Sequence, residues 1–416
     1  MNNNIFDSRE FRLDNGLKII SIRKKTALFS LHVGVKIGSI YEKNNEKGAS
    51  HFIEHMLFKG TNEFSNREIN EKFENLGGEY NAYTDYNCTV YSVTALHEEL
   101  NNAVELVSDM LKKPSFDKDE FKKEKKVILS EINSSKDDIE DYCYTKVHEI
   151  GFSNSPLKYD TIGTKLNVQN FTREFIVNFY KKYYLPNNSF IVIVSMMEHD
   201  DIFNLVNKYF GDWKSGEVKQ DNIIVEKNIP CRVTSSKSDI SQSSIIYMFT
   251  VHNLNRFEET ALKILNYKLG ESANSILFRE IRENKGLAYD IYSELNLSKY
   301  VKTMYIYTAV SSENIKETIE SINNAIEKIK TEPDVLNDDS IVLMKKVLKT
   351  SIAFTLEDTT DIGNYVLHQC MDDEDIYEFL KDVNYVDTIK SEDVRKIACR
   401  VLKDPSVYIV KSKGSV

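Results

Sequence analysis

The chain has 416 residues, enough for two or more domains. Hydrophobic residues make up 41% and charged residues 28%, the balance of an ordinary globular protein with sizeable cores. The net charge is −10, and no long Lys/Arg stripe occurs. Nucleic-acid binding is therefore excluded as an expectation, because it needs a positive surface. No apolar run approaches the roughly 18–20 residues of a membrane helix. The stretch from Met1 to Glu10 lacks the apolar core of a secretory signal and the Arg/Ser-rich, acid-free character of a transit peptide. A cytoplasmic protein without membrane attachment is the expectation. Cys88, Cys143, Cys231, Cys370 and Cys399 are odd in number, scattered and free of any CxxC pair. They support neither a disulfide framework nor a thiolate metal site.

In chain order, Phe11 to Ile20 predicts a strand, an Asn15-Gly16 turn and a second strand. Phe29 to Ile37 predicts another strand. Asn44 or Asn45 is placed to cap a helix running to about Phe58, with Lys59-Gly60-Thr61 ending it. Thr94-Ala-Leu precedes a helical pattern at Leu100, Ala103, Val104, Val107 and Leu111. Thr308-Ala-Val precedes one at Ile315, Ile319, Ile322, Ile326 and Ile329. Each pattern leads to a proline (Pro114, Pro333), an acidic turn and a further helix. A duplicated α+β unit accounts for the echo. The first half closes with Tyr184-Leu-Pro-Asn-Asn188, an apolar strand from Phe190 to Val194 and a helix ending near Gly211. A polar, aperiodic stretch follows and reads as a linker. The second half begins and ends with strands at Ser243–Val251 and Ser406–Ser412. The expected division is 1–214, a linker over 215–230, and 231–416.

Within the first predicted helix stands His51-Phe-Ile-Glu54-His55. Residues four apart on a helix share a face, so the two imidazoles can hold one small cation. Glu54 lies three after His51 on nearly the same face. A carboxylate there reaches a water on the metal without ligating the metal itself. The arrangement reverses the HExxH helix of the zincins. Two neutral imidazoles and one carboxylate with an open fourth position form the usual hydrolytic zinc shell, so one zinc per chain is expected. Glu54 then serves as the general base. The third ligand comes from elsewhere. The segment Glu120 to Ile132 predicts a helix with Val127, Ile128 and Ile132 on its buried side. Glu124 and Glu131 lie two turns apart on one face, and chemistry alone does not choose between them.

The run Gly48-Ala-Ser-His51-Phe-Ile-Glu54-His55-Met-Leu-Phe-Lys-Gly-Thr61 closely resembles the signature of the pitrilysin/insulinase metallopeptidases. It is most similar to the bacterial and organellar branch that looks like mitochondrial processing peptidase. In that family the third ligand is a Glu about 76 positions after the second His, and the resemblance puts Glu131 there. Glu124 matches a family acidic residue near the metal, with an auxiliary catalytic role. Leu76-Gly-Gly-Glu-Tyr-Asn81-Ala82-Tyr-Thr84 resembles the strand that binds extended substrate, with Asn81 contacting its backbone. Arg282 and Tyr289, seven apart in Leu277-Phe-Arg-Glu-Ile-Arg282-Glu-Asn-Lys-Gly-Leu-Ala-Tyr289, match the pair directed at substrate carbonyls. Without the resemblance they read as a helix-surface Arg and a buried Tyr. Tyr183-Tyr-Leu-Pro-Asn-Asn188 and Phe210-Gly-Asp212 are similar to the end of the family's first half.

The resemblance implies two homologous α+β halves, each a mostly antiparallel sheet packed with helices, facing each other as a clamshell around short or unfolded peptides. The second half has no HxxEH, and its His252 and His368 stand alone; it is expected to supply substrate contacts. A homodimer is expected, with pairing to a related chain as the other arrangement. Two stretches depart from the family, Ser155-Pro-Leu-Lys-Tyr-Asp160 and Met196-Met-Glu-His-Asp200. Both are expected in loops, where they bear on specificity. The rival reading is a non-catalytic partner or scaffold subunit of a processing-peptidase-like complex, which the intact set His51, Glu54, His55 and Glu131 argues against.

Overall fold

The computed structural model describes residues 6–219, 222–238 and 240–413. Residues 220 and 221 of the expected linker, and the ends of the expected halves at 1–5 and 414–416, lie outside the described residues.

The first sheet has six strands: β1 (Asp7–Arg12), β2 (Lys18–Arg23), β3 (Leu28–Val35), β4 (Glu79–Thr84), β5 (Thr89–Leu96) and β6 (Ser189–Ser195). Their order is β1-β2-β6-β3-β5-β4. The second sheet has five: β7 (Cys231–Lys237), β8 (Ser243–Thr250), β9 (Ala288–Leu297), β10 (Lys302–Val310) and β11 (Ser406–Ser412), in the order β7-β11-β8-β10-β9. In each sheet a single pair is parallel, β2 with β6 and β7 with β11. With β1 set aside, the two sheets have the same strand order and the same directions. That is the duplicated, mostly antiparallel α+β plan expected from the sequence.

Fourteen α-helices accompany the sheets among the described residues: α1 (Ala49–Leu57), α2 (Asn66–Asn75), α3 (Leu100–Lys112), α4 (Lys118–Ser134), α5 (Ile139–Gly151), α6 (Lys165–Asn170), α7 (Arg173–Tyr183), α8 (His199–Phe210), α9 (Arg256–Asn266), α10 (Ile315–Thr331), α11 (Asp338–Glu357), α12 (Thr359–Met371), α13 (Phe379–Thr388) and α14 (Ser391–Val401). None of the described helices is long and apolar enough to cross a membrane. Residues 213–219 and 222–230 form neither helix nor strand.

The chain folds into two compact units that do not follow chain order. One holds the segments up to Asn133, Tyr159–Ile223 and Phe354–Tyr377; the other holds Ser134–Lys158, Ile224–Ala353 and the rest from Glu378. Helix α12 thus belongs with the first sheet, and α5 with the second.

Strand β3 explains why α12 fits. Phe29, Leu31, Val33 and Val35 point to one face and are fully buried. Ser30, His32 and Gly34 point to the other, by the two-residue period of a strand. That second face is small and polar, yet α12 covers it. A Cβ on Gly34 would overlap Met371 and Leu367, and one on Gly363 would lie 2.6 Å from the His32 ring. The two glycines permit the close approach of helix and sheet. The second sheet repeats the device: Gly151, at the end of α5, lies against Met248 and Ser406.

Candidate metal centre

Helix α1 is anchored by Phe52, Ile53, Met56 and Leu57, all fully buried. This leaves His51, Glu54 and His55 together on the remaining face. The helix starts later than expected and is not capped by Asn44 or Asn45. Gly48 precedes it in a left-handed conformation, φ 99°, and no side chain caps it from that position. The buried carboxylate of Glu42 instead accepts from the backbone N–H groups of Gly48 at 2.8 Å and Ser50 at 2.7 Å. An anion at a helix start satisfies free donors and complements the dipole. A Cβ on Gly48 would meet the Ile162 carbonyl at 2.7 Å, so both backbone angle and space require glycine.

Helix α4 contributes the carboxylates. Its buried stripe is Phe121, Glu124, Ile128 and Ile132. Val127, expected on that side, is 47% exposed. The stripe is centred near Ile128, and Val127, one residue and so about 100° away around the helix, lies outside it. Glu124 within the stripe and the more exposed Glu131 two turns on both reach the imidazoles of α1, and they meet different atoms there.

Glu131 Oε1 is 3.8 Å from His51 Nε2, and Oε2 is 3.6 Å from His55 Nε2. One ligand atom from each of His51, His55 and Glu131 lies within 4.8 Å of the other two. No other such cluster of three or more occurs among the described residues. A tetrahedral ion with bonds of about 2.1 Å holds its ligand atoms about 3.4 Å apart, so small inward adjustments would close this set on zinc. Glu124 instead binds the far side of the imidazole. Nδ1–H of His55 donates to Glu124 Oε2 at 3.1 Å, and Lys59 pairs with Oε1 at 3.2 Å. That bond fixes the tautomer and leaves the Nε2 lone pair free, the usual second contact of a metal-binding histidine. Nδ1 of His51 is buried without such a partner.

The electrostatics fit a cation. Three carboxylates, Glu54, Glu124 and Glu131, crowd the two imidazoles. Burial, reinforced by His55, holds His51 neutral down to about 3. Burial opposes charge on His55, but Glu124, Glu131 and Glu54 outweigh it and raise its pKa. Burial pushes the Glu54 carboxyl upward against the Thr84 hydrogen bond and His55. Burial also acts on Glu124, but His55 and Lys59 prevail and hold its carboxyl below the usual range. A neutral imidazole is the ligating form.

Strand β4 is the free edge of the first sheet. Its side chains alternate, with Tyr80, Ala82 and Thr84 on one side and Asn81 and Tyr83 on the other. Thr84 Oγ1 donates to Glu54 Oε2 at 2.6 Å, which ties the edge strand to α1. Asn81 is exposed, and its Oδ1 accepts the Ala82 N–H at 2.9 Å. Arg282 and Tyr289 belong to the other unit. Arg282 sits in a short π-helical turn, Phe278–Glu283, and Tyr289 in β9. The guanidinium lies 5.7 Å from the Tyr289 ring, and that ring is 74% exposed rather than buried.

Of the two divergent stretches, Pro156–Lys158 forms a 3₁₀ turn. His199 and Asp200 already lie in α8, and only Met196–Glu198 is a turn. Sequence reasoning missed Glu42 and Lys59. Glu42 stands too far before α1 for a capping motif, and Lys59 gains its role only from a carboxylate 65 positions on.

Residues 18–165 match the family described as insulinase, peptidase family M16, and residues 170–346 match the M16 inactive domain. An uncharacterised zinc protease of Rickettsia bellii is 30% identical over 390 residues, covering 91% of this chain and 93% of that protein. The probable mitochondrial-processing peptidase subunit beta of Arabidopsis thaliana is 25% identical, covering 86% of this chain and 66% of that one. The crystal structure of a protease from Helicobacter pylori superposes with a TM-score of 0.88 at 21% identity, covering 98% and 99% of the two chains. The chain belongs to the insulinase family, M16.

Proposed function

We propose that this protein is a zinc-dependent endopeptidase of short or unfolded peptides, with one ion held by His51, His55 and Glu131. The observation that carries the reading is the convergence of two imidazoles and Glu131 within 4.8 Å, with Glu54 beside them on the same helix face. The names of the relatives, zinc proteases and a processing peptidase, support it.

When bound, the ion supplies a Lewis acid for the scissile carbonyl and acidifies a water towards a pKa of about 7. Glu54 takes the proton from the attacking water and delivers it to the leaving amine. Glu124 orients His55 through Nδ1. Substrate pairs as an added strand along β4, exchanging main-chain hydrogen bonds that ignore sequence. Asn81 and Ala82 provide the first of these, the Ala82 N–H passing from the Asn81 side chain to a substrate carbonyl. Arg282 and Tyr289, a cation and a hydroxyl donor, hold further carbonyls and stabilise developing oxyanion charge. Pairing along an edge strand requires extended chain, so folded proteins are poor substrates. The enzyme works as a homodimer, the pairing with a related chain being the alternative.

The test is a peptide library digested with and without a chelator, by the parent and by Glu54→Gln. Chelation abolishes cleavage. The variant keeps about one zinc per chain and loses about 10²- to 10⁴-fold in kcat. A purified protein that holds no metal and cleaves nothing in the library would sink the peptidase reading and leave the scaffold role, whereas a Glu54→Gln variant that cleaves like the parent would strike the base assignment. Light scattering that gives the mass of a single chain would remove the dimer.

A further inference from the structure

The free edge of the first sheet is held from both sides. On one face the Tyr83 hydroxyl donates to Asn364 Oδ1 at 2.7 Å and lies 2.8 Å from His368 Nε2, both on α12. On the other, the very next residue, Thr84, gives its hydroxyl proton to Glu54 Oε2. At 2.6 Å this is the short bond expected of a hydroxyl donating to a carboxylate. Tyr83 thus fixes where the strand ends, and Thr84 transmits that position to Glu54.

We propose that Thr84 is the positioning residue for Glu54. A carboxylate has two oxygens, and the Thr84 hydroxyl engages Oε2. Oε1 is left as the atom that takes the proton from the attacking water. Without this bond the Glu54 side chain can turn about its last torsion, which is broad and only weakly restrained for a glutamate. The time it spends in a productive orientation then falls. The inference rests on the reading of Glu54 as general base. It gives Thr84 a duty distinct from contact with substrate.

Thr84→Val keeps the β-branched shape suited to a strand and deletes only the donor. Thr84→Ser keeps the donor and deletes a methyl. Hydrogen bonds to charged groups are worth enough to lower kcat of Thr84→Val by about 10- to 100-fold. The expected KM and zinc content are those of the parent. Thr84→Ser restores most of the lost rate. On the Glu54→Gln background, Thr84→Val costs nothing further, because the residue it positions no longer acts. A crystal structure of chelator-treated Thr84→Val has the Glu54 carboxylate displaced from its parent position.

Parent-like kcat in Thr84→Val overturns the proposal. So does a rise in KM alone, which would make the hydroxyl a substrate contact. Equal losses in the valine and serine variants would make the effect one of packing and overturn it as well, as would an unmoved carboxylate. Should valine prevent folding, Thr84→Ala carries the same expectations. Glu54→Gln with parent-like activity would instead strike the base assignment, which separates the two failures.

Discussion

Glu42 shows how much of the site depends on one buried side chain outside the motif. Its two oxygens receive the N–H groups of Gly48, just before α1, and of Ser50 in its first turn. Lys47, itself buried, lies close enough for each to feel the other's charge, while its ammonium donates to the Ser39 carbonyl at 2.6 Å. A Glu42→Gln side chain has only one acceptor oxygen. Its NH₂ group would face one of the two backbone donors, leaving that N–H unsatisfied, and Lys47 would lose its compensating charge. Each unsatisfied buried group costs about 1–3 kcal/mol, so the variant is expected to lose about that much stability, seen as a lower urea midpoint. An unchanged midpoint would mean that water replaces the lost acceptor. His51, Glu54 and His55 were legible in the sequence because a helix turns their local spacing into proximity. Glu124 and Glu131 were legible only as a pair on one face, and the resemblance alone ranked them. Glu42, Lys59 and the Thr84–Glu54 bond were not, because their meaning comes from how segments meet.

At the scale of elements, β1, β2, β3 and β6 follow from the Asn15-Gly16 turn and from apolar patterns, whereas β4 was legible only through the resemblance. The polar side of β3 is where pattern misleads. Ser30, His32 and Gly34 form a small, polar face of the kind that antiparallel sheets commonly turn to solvent. Instead α12 covers them, and Thr94 of β5 bonds to Thr360 at 3.0 Å on the same face. His32 is 2% exposed, and its Nε2 lies 2.6 Å from Ser30 Oγ. Burial, and then His368, lower its pKa to about 4, against the backbone of Thr360. An unfolded histidine titrates near 6.5. Above about 6.5 neither state binds the proton, and His32 sets no pH dependence. Below that, the unfolded chain gains a proton that the folded chain refuses, so stability falls as pH drops towards 4. At pH 5 the loss is about 2 kcal/mol. Urea unfolding of chelated protein at pH 7 and pH 5 measures it. His32→Gln should lose less between the two by that amount, and parallel losses would place the acid sensitivity in other groups.

The whole molecule is more entangled than its two-part sequence pattern. Each compact unit takes three segments of chain, so the chain passes from one unit to the other five times. The duplication is visible in the sequence because both copies keep their strand–helix–proline order. The exchange of helices is not, because α5 and α12 have ordinary helical patterns that do not record which sheet they cover. A consequence follows for cutting the chain at the aperiodic stretch. A piece spanning residues 1–214 would lack α12 and expose Ser30, His32, Gly34 and the apolar residues beside them. It would also carry α5 without the sheet strands β8 and β11 that α5 packs against. A piece spanning 231–416 would lack α5, and with it His148, whose Nε2 meets the Tyr305 hydroxyl at 2.6 Å. Uncovered sheet faces of this kind drive aggregation. Each piece expressed alone is therefore expected to be insoluble or to melt without a cooperative transition, whereas the two expressed together should copurify. A sharp thermal transition in either piece by itself, followed by circular dichroism, would mean that the exchanged helix is dispensable to the sheet it covers.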